Sequence, residues 1–145
     1  MDNYDKLLNK GISAAEAGSY DEAFILLTQA AEHIQSPIVK SYSAYCQAKS
    51  HGKLSAAAEI CQGNIARESH NSVHYLILGR IFLLAGKRWK AIKIFHMGLK
   101  VSPNPLIIKE LKKLGKRNSL VIKVLDREHS LNRLLGKAFS TVGLR

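Results

Sequence analysis

A six-residue phrase recurs along this chain at a fixed interval. Gly18-Ser19-Tyr20-Asp21-Glu22-Ala23 returns as Gly52-Lys53-Leu54-Ser55-Ala56-Ala57 and again as Gly86-Lys87-Arg88-Trp89-Lys90-Ala91, so the glycine and the closing alanine both step by 34 residues without insertion. A period of this length marks a stacked array of small supersecondary units. Around the first glycine the apolar residues fall at helical spacing, with Leu7, Leu8, Gly11, Ile12 and Ala15 before it and Ala23, Phe24, Leu27, Ala30 and Ala31 after it. Each unit therefore reads as two helices around a glycine turn. Ser19 and Glu22 have the spacing of a capping box, while Ser36-Pro37 and Asn104-Pro105 place a capping side chain and then proline where new helices begin. Apart from a brief alternation over Leu120 to Leu125, no segment has the period of a strand. The expected fold class is all-α, a solenoid of helical hairpins.

A 34-residue unit of this kind resembles the tetratricopeptide repeat family, and residues 72–105 carry the resemblance best. There Tyr75, Leu78, Gly79, Phe82, Gly86, Ala91, Phe95, Gly98 and Pro103 follow the family's order of bulky, apolar, small, aromatic, turn glycine, small, aromatic, small and terminal proline. Residues 4–37 keep Leu7, Gly11, Gly18, Tyr20, Ala23, Leu27 and Ala30. Residues 38–71 keep Ala44, Ala48, Gly52, Ala57 and Cys61 but set Ser41 at a bulky position and Tyr45 and Asn64 at small ones, which predicts altered helix packing in that unit. Small residues at helix crossings let backbones approach, and the aromatics of one unit fill the groove left by the next. Three such units cannot end on a bare apolar face. Residues 106–117 read as a basic capping helix with Ile107, Ile108, Leu111 and Leu114 on one side, and residues 118–145 as an extension with a short amphipathic helix from Ser130.

The resemblance implies a right-handed superhelix whose concave face is lined by the first helix of each pair. On that face it places Leu8, Ile12 and Glu16, then Tyr42, Cys46 and Lys49, then Val73, Leu76, Arg80 and Leu83. Family members that grip the acidic C-termini of chaperones carry Lys, Asn and Arg in the groove, where this chain has Leu8, Ile12, Ser43, Val73 and Ile77. The expected groove is apolar and suited to a partner protein's peptide or amphipathic helix, with Lys49 and Arg80 holding acidic side chains. The chain's own tail or a second copy could cover it instead. A small chaperone for a hydrophobic client segment is a further use that the family allows.

Charge divides the molecule. Residues 1–71 carry six Lys and Arg against eight Asp and Glu, whereas residues 72–145 carry sixteen against Glu110, Asp126 and Glu128. Lys90, Lys93, Lys100, Lys109, Lys112, Lys113, Lys116 and Arg117 form the basic patch. It is either a solvated face or a contact surface for nucleic acid or an anionic membrane. With 46% apolar residues and no leader-like start, the chain reads as a folded cytoplasmic protein. Cys46 and Cys61 are too few for a disulfide framework and read as reduced thiols. His70 and His74 have metal-ligand spacing but no intervening glutamate in the HExxH arrangement, and read as an incidental surface pair. Phosphate loops and nucleophile elbows are absent. No enzyme activity and no cofactor are expected.

Overall fold

Two classes of glycine build the architecture. Gly18, Gly52 and Gly86 have φ of 88°, 71° and 72°, the left-handed conformation that L side chains avoid. The 34-residue period of the sequence is thus the period of one backbone reversal. Gly79 serves the other purpose, because a Cβ there would fall within the ring of Phe95 on the next helix. Bare backbone at Gly79 lets the two helices cross closely enough for Phe95 to be fully buried.

The computed structural model describes residues 2–117, and among them there are seven α-helices and no strand. The helices are α1 (Asn3–Glu16), α2 (Tyr20–Ala31), α3 (Pro37–His51), α4 (Leu54–Arg67), α5 (Ser72–Leu84), α6 (Arg88–Val101) and α7 (Pro105–Arg117). Each packs on the next along the chain, and α3 also meets α1 and α5. This near-neighbour order makes the fold an all-α helical repeat solenoid. The alternation at Leu120 to Leu125 and the extension to residue 145 lie outside the described residues.

α5 is the central helix. From Ser72 to Phe82 only Val73 is not fully covered, because α3, α4 and α6 pack around it. The core runs through Leu27, Val39, Cys46, Leu76, Leu78, Phe95 and Ile107. Capping follows the expected positions unevenly. Asn104 Oδ1 accepts from the backbone N–H of Leu106 and Ile107 at the start of α7. Ser19 and Ser36 occupy N-cap positions but make no side-chain capping bond, so the capping box expected at Ser19 does not form. In place of a cap, Asp21 and Glu22 put negative charge in the first turn of α2.

The irregular unit has a physical explanation. Ser41, small where a bulky residue is usual, and Asn64, larger where a small one is usual, meet in the core, and Asn64 Nδ2 donates to Ser41 Oγ at 2.8 Å and to the Pro37 carbonyl at 3.1 Å. Volume removed from α3 is returned by α4. Ser41 Oγ lies 2.8 Å from His74 Nδ1, and His74 Nε2 lies 2.8 Å from Glu68 Oε2. A carboxylate only accepts, so Nε2 carries a proton, and Ser41 Oγ, which accepts from Asn64, also shares a hydrogen bond with Nδ1. His74 is therefore a fully buried link between α3 and α5, which corrects its reading as a surface residue. Its bond is the main cause holding the Glu68 carboxyl below its usual range. Removing the amide in Asn64→Ala leaves a buried hydroxyl and carbonyl short of a donor. A loss of about 1–3 kcal/mol is expected from the urea midpoint, and an unchanged midpoint would show that the network is dispensable.

Candidate functional site

Four inner helices converge on one guanidinium. Arg80, on α5, donates from Nη1 and Nη2 to the two carboxylate oxygens of Glu16 at 2.7 and 2.8 Å. Its Nε donates to Glu110 Oε1 on α7 at 3.0 Å. Tyr42 Oη, from α3, donates to Glu16 Oε1 at 3.0 Å. The guanidinium carbon sits 5.5 Å from the centre of the Tyr45 ring, and Tyr45 meets Tyr20 edge to face at 5.7 Å. Fork geometry, two carboxylates and an aromatic face together replace the water Arg80 has lost.

The electrostatics follow from this node. Burial pushes the Glu16 carboxyl up, but the hydrogen bonds and charge of Arg80, with help from Tyr42 and Lys109, outweigh it and hold the group below its usual range. Burial, then the neighbouring carboxylate, pushes the Tyr42 hydroxyl well above its ordinary value. Arg80 stays charged, because the same carboxylates more than offset its own desolvation.

Above this floor lies an open cleft of about 290 Å³. Tyr20 and Tyr45 line it, Leu83, Leu84 and Leu106 add apolar surface, and Lys49, Lys109 and Lys113 bring exposed ammonium groups. Lys49 Nζ stands 5.2 Å from the centre of the Tyr20 ring. Four cations against two carboxylates line the space. Both carboxylates are engaged by Arg80.

The expected groove residues separate in this setting. Lys49, Arg80 and Leu83 line the cleft, while Leu8, Ile12 and Val73 are half-buried and do not. Tyr42, Cys46 and Leu76 are not groove surface at all: Leu76 and Cys46 are 0% exposed and Tyr42 is 2% exposed. The inner helices wind closely enough for Tyr42 on α3 to reach Glu16 on α1, and side chains aimed inward become core. For the same reason Arg80 is occupied within the chain instead of awaiting a partner's acid, and the groove is polar at its floor instead of apolar.

The basic patch also divides. Lys109 and Lys113 line the cleft, Lys100 and Lys112 are exposed, and Lys90 and Lys93 are half-buried. Lys116 and Arg117 belong to the last turn of α7. Ile108, expected on the inner side of that helix, is 42% exposed. Sequence reasoning missed Tyr20, Tyr45, Leu84, Leu106 and Glu110 as cleft residues. Glu110 carried a signal, being the one acidic residue between Asn71 and Asp126 in an otherwise cationic stretch. Burial raises the Cys46 thiol to about 11 and the Cys61 thiol to about 12, so both are unreactive neutral thiols.

No family model matches the sequence, and no curated protein matches it. Two solved structures are similar. One is the tetratricopeptide-repeat domain of Sgt2 from Aspergillus fumigatus, with a TM-score of 0.60 and 21% identity over 89% of this chain and 85% of that one. The other is a substituted form of MamA, with a TM-score of 0.54 and 21% identity over 97% of this chain and 88% of that one. With the left-handed glycines and the stacked helix pairs, these likenesses identify the fold of this chain as that of the tetratricopeptide repeats.

Proposed function

We propose that the chain is a non-catalytic protein-interaction module, and that its cleft receives a short segment of a partner protein bearing acidic and apolar side chains. The observation that carries this reading is the division of charge in the cleft. Glu16 and Glu110 are spent on Arg80, while Lys49, Lys109 and Lys113 remain at its exposed edge beside Leu83, Leu84 and Leu106. An acidic side chain would find ammonium partners there, and a neighbouring leucine would find apolar surface. The charged floor makes an extended hydrophobic client a poorer fit. α7 supplies Lys109 and Lys113 and serves the array as its cap. Groups with chemical potential are committed elsewhere: both thiols are buried, and His74 is held between Ser41 and Glu68. Two such thiols suit a reducing, cytoplasmic setting.

Calorimetric titration with short Glu/Leu peptides, against the same peptides with Lys for Glu, tests this reading. The acidic peptides should bind and the basic ones should not. Lys49→Gln combined with Lys113→Gln should lower affinity roughly tenfold or more with only a small change in melting temperature, since both side chains are exposed. Equal binding of both peptide sets, or full affinity in the folded double variant, would remove the cleft as the site.

A further inference from the structure

A second surface lies at the turn between α5 and α6. Lys87, Arg88, Lys90 and Lys93 flank Trp89, the only tryptophan in the chain. Trp89 stands in the first turn of α6 and is 52% exposed, and Leu84, at the end of α5 across the same turn, is 37% exposed. Lys93 follows Trp89 by one helical turn and so shares its face. The first turn of α6 contains no acidic residue, and Lys87 occupies its N-cap. Cations at a helix N-terminus oppose the helix dipole, a cost that α4 shares with its Lys53 N-cap and acid-free first turn and that α1 and α2 avoid with Asp5, Asp21 and Glu22. What sets the α6 turn apart is the exposed indole of Trp89 among these cations, which points toward an anionic, partly apolar contact.

The type of cation distinguishes among anionic partners. Arg80 is enclosed by Glu16 and Glu110, and Arg88 Nη2 donates to the Leu114 carbonyl at 2.8 Å. The one guanidinium group at this turn, of the kind suited to bases and bidentate phosphates, is thus turned inward, and lysines, which act as point charges, remain near Trp89 in the sequence. An exposed indole in a lysine-rich turn matches the boundary between lipid headgroups and acyl chains. We propose that this turn is a peripheral docking surface for anionic lipid bilayers, with Trp89 at the headgroup boundary and Lys87 and Lys93 on lipid phosphates. Among the described residues no helix is long and apolar enough to cross a membrane, and this contact needs none.

The lone tryptophan makes the surface its own reporter. Emission of the full chain should shift to the blue, and resist acrylamide quenching, on phosphatidylcholine vesicles with roughly a third phosphatidylglycerol, but not on phosphatidylcholine alone. Each lysine near an anionic surface contributes about fivefold in partitioning, so Lys87→Gln with Lys93→Gln should weaken binding about 25-fold. Trp89→Ala should reduce vesicle co-sedimentation roughly tenfold. Circular dichroism melts confirm that the variants fold, and Trp89→Phe replaces Trp89→Ala if the latter does not. Unshifted emission on anionic vesicles, an equal shift on neutral ones, or full partitioning of the folded lysine variant would overturn the proposal. So would quenching by a single-stranded oligonucleotide at lower concentration than by lipid, which would reassign the surface to nucleic acid.

Discussion

Arg80→Met is expected to lower the stability of the chain by about 3 kcal/mol, because the variant strands two partly buried carboxylates that shared one guanidinium. The side chains of Glu16 and Glu110 are 24% and 13% exposed, too enclosed to regain full hydration. Stability against pH separates this loss from a simple packing defect. In the wild-type protein the folded-state value of Glu16 is depressed, so its contribution is complete above the ordinary carboxylate range and disappears as pH falls through the depressed value. The variant lacks the largest depressing influences and retains the upward push of burial. Its urea midpoint should therefore lie furthest below wild type near neutral pH, with the gap narrowing on acidification. Parallel curves would show that the ion pairs contribute nothing and that Arg80 matters only for its bulk.

Gly79→Ala should be destabilising by about 2 kcal/mol, against the general preference of helices for alanine. The added methyl would meet the Phe95 ring, which is fully buried and has no room to retreat. Phe95→Leu makes the test specific. Alone it should destabilise by leaving space in the core, but combined with Gly79→Ala it should give a protein more stable than the two separate losses predict. Strict additivity of the urea midpoints would mean that the helix crossing is not set by this contact.

The readable part of the fold is the part that recurs locally. A glycine with positive φ stands at the reversal inside each helix pair, and Gly79 with Phe95 is a pairing of adjacent helices in one unit, so both leave a mark at the repeat period. The site is different in kind. Nothing near Arg80 in sequence distinguishes a carboxylate of the same chain, 64 residues away, from one brought by a partner. That depends on how tightly the inner helices wind, which also decides whether Tyr42 and Leu76 are groove or core. The Ser41 and Asn64 pair was visible only as two departures. Taken one position at a time each counts against the repeat pattern, whereas together they exchange volume between facing helices and add a hydrogen bond.

Arrays whose units touch only their neighbours tend to fray from the ends, each terminal helix leaving at its own cost. The node at Arg80 changes that behaviour. Glu16 is the last residue of α1 and Glu110 belongs to α7, so the first and seventh helices hold the same guanidinium. Peeling either helix away exposes a charge that the other still faces, and loss at one end weakens the grip at the other. A linear stack thereby gains the cooperativity of a closed one: its first helix is not fully secured until the seventh is in place.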